Sequence, residues 1–318
     1  MNEKKKIDII VIVGPTACGK TSLSIALAKM LNAEIISADS MQIYKQMNIG
    51  TAKPTKEEMQ GIPHHLINFV DIDKEFSVAE YVRLAKDCIF DIDKRGKIPI
   101  VVGGTGLYID SLINDVNFIK QPMDSELRES LKERAEKEGI KSLIAELESF
   151  DKESAKRLHP NDVGRIIRAI EIYKQTGITM SQHIESSKKV ESPYNPMMIG
   201  INYKDRSVLY DRINKRVDDM IDRGLIKEAK EILSSNCSKT AMNAICYKEL
   251  LPYINGECSL FEAIENLKMQ TRRYAKRQIT WFKNNDRINW FFADNYIDFK
   301  EFFVFCTKNY RQIKKYML

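Results

Sequence analysis

Apolar residues in this chain follow two rhythms. Ile7 to Val13, Ile98 to Val102 and Met197 to Asn202 are short apolar runs of strand length, as expected of parallel strands buried on both faces. Glu34 to Ser40 reads as a further strand ending in polar residues, and Ile288 to Phe292 as a last short one. Between these runs the spacing lengthens to three and four residues. Leu23, Ala26, Leu27, Met30 and Leu31 give Ser22 to Leu31 a helical face. Ser77 with Glu80 forms a capping box that opens a helix to about Arg95, where Gly96 stops it. Residues 49–65 read as loop. Strands alternating with helices, each strand closing in a polar or glycine loop, predict an α/β fold with a parallel sheet. Its ligands belong at the carboxyl ends of the strands.

The pattern changes near Gln121-Pro122. From Asp124 to about Gly177 it is helical and strongly charged, with stops at Gly139 and Gly177 and a break at His159-Pro-Asn-Asp162. Ser186 to Pro196 reads as a connector. The expected organisation is an α/β core of residues 1–120 and 197–318 interrupted by a helical insertion domain of residues 121–196. Further helices are expected over Arg206 to Arg223, Leu225 to Leu233, and Ser259 to about Lys283.

Composition narrows the class. With 318 residues, 43% apolar and 30% charged, the chain is expected to be a soluble globular protein with a real core. Its longest apolar runs are strand-sized, so a cytoplasmic protein with no membrane partner is expected, working as a monomer. Six cysteines (Cys18, Cys88, Cys237, Cys246, Cys258, Cys306) form no C-x-x-C pair, and the four histidines complete no zinc pattern. Free thiols follow. A net charge of +6 permits nucleic-acid binding without requiring it.

The chemistry is concentrated in a few stretches. Gly14-Pro15-Thr16-Ala17-Cys18-Gly19-Lys20-Thr21 fits G-x-x-x-x-G-K-[ST], the phosphate-cradling P-loop, between a strand and a helix. Backbone N–H groups and a helix N-terminus point at an anion there, Lys20 adds charge, and the Thr21 hydroxyl is a ligand for Mg²⁺. Asp39 sits at the next strand end, either as a proton acceptor or Mg²⁺ holder, or as the cap of a turn. Gly103-Gly-Thr-Gly106 is a second backbone-exposing loop. Arg212, Arg216 and Arg223 share a helix whose polar side is either solvated or an anion clamp. Lys268, Arg272, Arg273, Lys276, Arg277 and Lys283 form a basic stripe with no acidic residue from Lys268 to Asn285, interleaved with Tyr274, Trp281 and Phe282. Such a stripe suits phosphates, and such aromatics suit bases.

Taken together, Gly14 to Thr21, Asp39-Ser-Met-Gln-Ile-Tyr44, Met47-Asn-Ile-Gly-Thr-Ala-Lys-Pro54, Gly103-Gly-Thr-Gly-Leu-Tyr108, His159-Pro-Asn-Asp162, Arg165-Ile-Ile-Arg168, Ala244-Ile-Cys-Tyr-Lys-Glu249 and Arg273 to Trp281 resemble the bacterial tRNA dimethylallyltransferases. The resemblance runs in order from about residue 7 to about 290. It implies a P-loop NTPase-like core used without NTP hydrolysis, with Mg²⁺. It also implies transfer of a dimethylallyl group from dimethylallyl diphosphate to N6 of the adenine 3′-adjacent to the anticodon, so that the partner is the tRNA anticodon stem-loop. By the same resemblance Asp39 is the general base, Thr105 contacts the reacting centre and the tRNA, and Arg216 steadies the diphosphate. Ser40, Met41 and Gln42 contact the target base, and Arg128, Arg165 and Arg168 the tRNA; the basic stripe adds Arg272 and Arg273.

Three positions depart from the family pattern: Cys18 for serine, Gly164 for glutamine before Arg165, and Cys246 for a glycine whose absence crowds a close approach. Other readings of the same residues are an adenylate prenyltransferase acting on free AMP, a P-loop small-molecule kinase, and a non-catalytic RNA-binding module that needs neither Asp39 nor Lys20.

Overall fold

The order of six strands in one parallel sheet decides where the loops of this protein meet. A computed structural model describes residues 6–116, 118, 124–188, 191–296, 301 and 304. Along the first part of the chain run β1 (Ile7–Val13), α1 (Lys20–Leu31), β2 (Ala33–Ser37), α2 (Lys56–Met59), β3 (His64–His65), α3 (Val78–Lys94), β4 (Ile98–Gly103) and α4 (Gly106–Ile113). Five helices follow: α5 (Ser125–Glu138), α6 (Ile140–Phe150), α7 (Lys152–Arg157), α8 (Val163–Thr176) and α9 (Met180–Lys188). The chain then forms β5 (Tyr194–Asn202), α10 (Arg206–Asp222), α11 (Leu225–Leu233), α12 (Lys239–Met242), α13 (Ile245–Lys248), α14 (Leu251–Ile254), α15 (Leu260–Lys283) and β6 (Ile288–Phe292).

The sheet order is β3-β2-β4-β1-β5-β6, with every pairing parallel. β1 lies between β4 and β5, so the loop after it is flanked by the loops of two neighbours. Burial of Ile9, Ile10, Val11, Ile12 and Val13 on both sheet faces explains the unbroken apolar run. The apolar core joins these strands to α1, α10 and α15 through Leu23, Leu27, Leu209, Ile213 and Ala275. A second core seats the segment after Asp39, with Ile43, Tyr44 and Met47 packed against Val217, Leu225, Tyr247 and Leu267.

The capping boxes at Ser77/Glu80 and Ser259/Glu262 form. Several local expectations change, among them α2, which Thr55 and Glu58 cap within residues expected as loop. His64-His65, expected in a loop, pairs with Ile35 and Ile36 as a short edge strand; a two-residue strand is too brief to leave a periodic signal. Tyr194 to Pro196, expected in a connector, pair with Ile7 to Ile9 of β1. Pro196 is tolerated there because β6 joins β5 only from Met198 onward, so one side of β5 needs no donor at that point.

The chain divides into two compact units, Met1–Ile113 with Pro193–Leu318, and Asn114–Ser192. The boundary expected at 120/121 falls outside the described residues, as does Cys306. The five described cysteines are free thiols. The helical unit has its own core of Leu131, Leu143, Leu147, Ile166, Ile167 and Ile170, with Phe150 stacked on Tyr173 at 3.9 Å between centroids. Among the described residues no helix is long and apolar enough to cross a membrane.

Candidate active site

A cavity of about 870 Å³ opens at the carboxyl edge of the sheet, lined by residues of the loops after β1, β2 and β4 and by α10 and α15. It brings together Thr16 to Thr21, Asp39, Gln42, Gly103, Gly104 and Arg216. Cations dominate its wall: Lys20, Lys29, Lys53, Arg212, Lys215, Arg216 and Arg223 face only Asp39, Glu58 and Asp219. That balance suits a polyphosphate.

The phosphate loop is built by α1 starting at Lys20, with Gly19 as an N-cap and no side chain bonding the first turn. No cap side chain therefore takes the first-turn N–H groups, and these are the groups a helix N-terminus offers an anion. Lys20 Nζ donates to the carbonyls of Gly14 (3.0 Å) and Pro15 (2.7 Å). Burial holds its ammonium below the ordinary lysine range. Cys18 is fully buried under the loop, and burial raises its thiol. The departure from serine therefore places an apolar sulfur in the core. Thr21 lines the same wall. Among the described residues no group of three His, Cys, Asp or Glu side chains could hold a metal alone. Mg²⁺ commonly takes few protein ligands and completes its shell with phosphate and water oxygens, so Thr21 in the cavity wall is a residue that could hold it.

Asp39 caps a turn, as one of its sequence readings had it. Its Oδ1 accepts the N–H groups of Met41 (2.9 Å) and Gln42 (3.2 Å), closing a turn. The residue nevertheless lines the cavity. Ser40 donates its N–H to Thr105 Oγ1 at 3.1 Å, and Thr105 donates its own N–H to Ala38 O at 3.2 Å. The loops carrying Asp39 and Thr105 are thus laced together. Gln42 Nε2 donates to Thr51 O (3.1 Å) and Ala52 O (3.2 Å), which holds the following loop against it. Met41 packs on the second core.

Arg212 and Arg216 of α10, and Arg223 just past its end, all line the cavity. Arg212 Nε also donates to Ala17 O at 3.0 Å. Burial lowers the Arg216 guanidinium, with Cys246 and Asp39 nearby. A buried guanidinium favours an anion beside it. Cys246, expected to crowd a close approach, is accommodated because Gly50 lies opposite. A Cβ on Gly50 would stand 3.1 Å from Cys246 Cβ and 2.9 Å from the Tyr247 ring. Burial pushes the Cys246 thiol up to about 12.

The basic stripe on α15 is narrower than its sequence suggests. Lys268 pairs with Asp218 of α10 (2.9 Å) and with Glu265 (3.0 Å), because the acidic partner arrives from another helix. Arg272 donates to Asn214 Oδ1 at 2.6 Å. Phe282 is buried, and Trp281 Nε1 donates to Asp110 Oδ2 at 2.7 Å. Arg273, Lys276, Arg277 and Lys283 are exposed. In the helical unit, Arg128 grips the buried Glu171 at 2.6 and 2.7 Å, and Arg168 reaches the same carboxylate at 3.2 Å. Two guanidinium groups on one carboxylate leave a net positive charge. Arg165 is exposed, 3.7 Å from Asp162.

Sequence reasoning missed Lys53 and Gln278 and read Tyr274 only as an aromatic of the basic stripe; all three are in the cavity wall. Lys53 carried no signal beyond its place in a motif, and the two α15 residues were hidden inside a charge run.

The chain matches the family model described as IPP transferase over residues 42–285. It is 54% identical over 312 residues, covering 97% of this chain and 96% of the other, to a tRNA dimethylallyltransferase of Thermoanaerobacter sp. (strain X514). The full-length tRNA isopentenylpyrophosphate transferase of Bacillus halodurans superposes with a TM-score of 0.71 at 43% identity, covering 98% and 99% of the two chains. A eukaryotic dimethylallyltransferase acting on tRNA superposes with a TM-score of 0.75 at 35% identity, covering 87% of this chain and 70% of that one. With its phosphate loop and Asp39 on one cavity, and with likeness of this extent, the chain belongs to the IPP transferase family.

Proposed function

We propose that this protein is a tRNA dimethylallyltransferase that moves the prenyl group of dimethylallyl diphosphate to N6 of the adenine 3′-adjacent to the anticodon. The observation that carries the reading is the meeting of a cationic phosphate loop and a carboxylate, Asp39, in one cavity. The site thereby combines a holder for a leaving anion with an acceptor for a proton.

In the proposed reaction, the adenine N6 attacks the allylic carbon, the carbon–oxygen bond breaks, and both electrons leave with the diphosphate. The N6 proton passes to the Asp39 carboxylate. The N–H groups of residues 17–21, with Lys20 and Arg216, neutralise the charge that grows on the leaving oxygens. Thr21 would hold Mg²⁺, which would supply further charge neutralisation when bound. Thr105 holds the Asp39 loop through Ser40. The adenine must leave its stack to reach this cavity, as for other enzymes that act on a base. The exposed cations of α15 and the Arg128–Glu171–Arg168 cluster supply phosphate-binding charge.

The test is transfer of radiolabelled dimethylallyl diphosphate, with Mg²⁺, to unmodified tRNA or to AMP, and a separate assay for ATP consumption. Label in tRNA is expected. Asp39→Ala should abolish turnover and keep tRNA affinity. Label in AMP alone, or ATP consumption with no transfer, would overturn the reading.

A further inference from the structure

Gln278 lies on α15, inside the Arg273 to Trp281 stretch and 262 residues along the chain from Thr16, and is 5% exposed. Its Oε1 accepts the N–H of Thr16, inside the phosphate loop, at 2.8 Å. Its Nε2 donates to the carbonyl of Gly104 at 3.0 Å. One amide therefore bridges the loop after β1 and the loop after β4, beyond the point where the β1–β4 ladder ends at Val13 and Gly103.

The fit is close. A Cβ on Gly104 would stand 2.0 Å from Gln278 Nε2, so only glycine leaves room for the bridge. One helical turn later, Trp281 donates to Asp110 of α4, and a Cβ on Gly106 would meet its ring at 2.3 Å. The helix is registered against this turn at two points. From Gly104 the connection continues through Thr105 to the N–H of Ser40, next to Asp39. Thr16, Gln278, Gly104, Thr105 and Ser40 thus link the leaving-group loop to the loop that carries the carboxylate.

We propose that Gln278 is a positioning residue: its bridge between Thr16 and Gly104 sets the separation between the bound diphosphate and the acceptor side of the cavity. The proposal rests on the prenyl-transfer reading for its effect on rate, and on geometry alone for its coupling of the two loops. Displacement at an allylic carbon needs attacking and leaving atoms in line, and a misplacement of about 1 Å can cost about 100-fold in rate. The glutamine amide offers an acceptor and a donor on separate atoms of one neutral group, and its side chain spans the two loops. Glutamate keeps the acceptor for Thr16 but sets a second oxygen against the Gly104 carbonyl. Methionine keeps the volume and loses both bonds.

The experiment compares wild type with Gln278→Glu and Gln278→Met. Single-turnover prenyl transfer to tRNA is expected to fall about 100-fold in both, with tRNA and inorganic diphosphate affinity changed by no more than about 3-fold. For Gln278→Glu, the rate relative to wild type should rise as pH falls from about 8 to about 5.5, because a protonated carboxyl regains the donor for Gly104; Gln278→Met should show no such rise. Hydrogen exchange with inorganic diphosphate alone gives a second readout. Protection should spread to the Ser40 and Thr105 N–H groups in wild type and stop at residues 14–21 in Gln278→Met.

A folded Gln278→Met enzyme with wild-type single-turnover rate and wild-type spread of protection would overturn the proposal. So would a loss that follows the melting temperature alone. Should Gln278→Glu fail to fold, Gln278→Met decides. A wild type that transfers nothing to tRNA yet spreads protection would retire the prenyl-transfer reading and keep the coupling.

Discussion

The N–H of Ser40 points at the Oγ1 of Thr105, 3.1 Å away and 65 residues along the chain. Asp39 precedes Ser40, so the threonine hydroxyl holds the backbone next to the carboxylate. Thr105→Val keeps the shape and removes the acceptor, leaving a buried-side donor unpaired. Its kcat should drop about 100-fold, whereas Thr105→Ser should stay within about 5-fold, since the hydroxyl is retained. Rapid-quench transfer assays on the two variants check this, and equal losses in both would refute it.

Glu228 receives the N–H groups of Asn48 (3.0 Å), Ile49 (2.8 Å) and Gly50 (2.8 Å) and the hydroxyl of Tyr247 (2.7 Å). Four donors on one carboxylate fix the loop that follows Gln42. Glu228→Gln turns part of that acceptor into a donor facing donors, and should cost about 2 kcal/mol. A urea midpoint measures the cost, and faster amide exchange at residues 48–50 locates it. An unchanged midpoint would mean that the second core alone holds the loop.

Glu34 is buried in β2 between Arg95, Lys97 and His65. Arg95 above all, with Lys97 and His65, holds its carboxyl well below the usual carboxylate range, against the opposing pull of burial. A depressed carboxylate stabilises the fold fully above its unfolded value near 4.5, and this is lost as pH falls below it. Wild type should therefore lose stability on acidification more steeply than Glu34→Gln. At neutral pH that variant should be less stable by about 2 kcal/mol, less than for a fully enclosed pair because Arg95 and Lys97 are part-exposed. Melting curves of both proteins from neutral to acid pH test the sign.

Charge on α15 is divided between helix packing and solvent. Lys268 is spent on Asp218 and Glu265, while Arg273 and Lys276 are exposed. Replacing Arg273 and Lys276 by glutamate should weaken tRNA binding and reduce the slope of log K against log salt by about 1 per phosphate contact removed. Lys268→Ala should leave the slope near that of wild type. A filter-binding titration across salt concentrations separates them; a larger slope change in Lys268→Ala would reverse the assignment.

The sheet, the phosphate loop and the helical character of the insertion were legible in the chain itself, because each depends on short-range rules. Ile7–Val13 and Ile288–Phe292 are bounded as their apolar runs are, Leu225–Leu233 is the helix that its spacing describes, and the capping boxes at Ser77 and Ser259 begin helices where their chemistry requires. The P-loop is a contiguous motif, so its neighbours in space are its neighbours in sequence. Tertiary packing decided the rest. Whether the polar side of α10 meets solvent or the cavity depends on what lies across from it, and no local spacing carries that. Lys268 looked unbalanced until α10 brought Asp218, and Gln278 looked like one polar residue in a basic run. Its role exists only because β1 and β4 are adjacent in the sheet, which places Thr16 and Gly104 within reach of one amide. Hydrogen bonds and ion pairs act over about 3 Å, and only the folded chain sets which residues are that close.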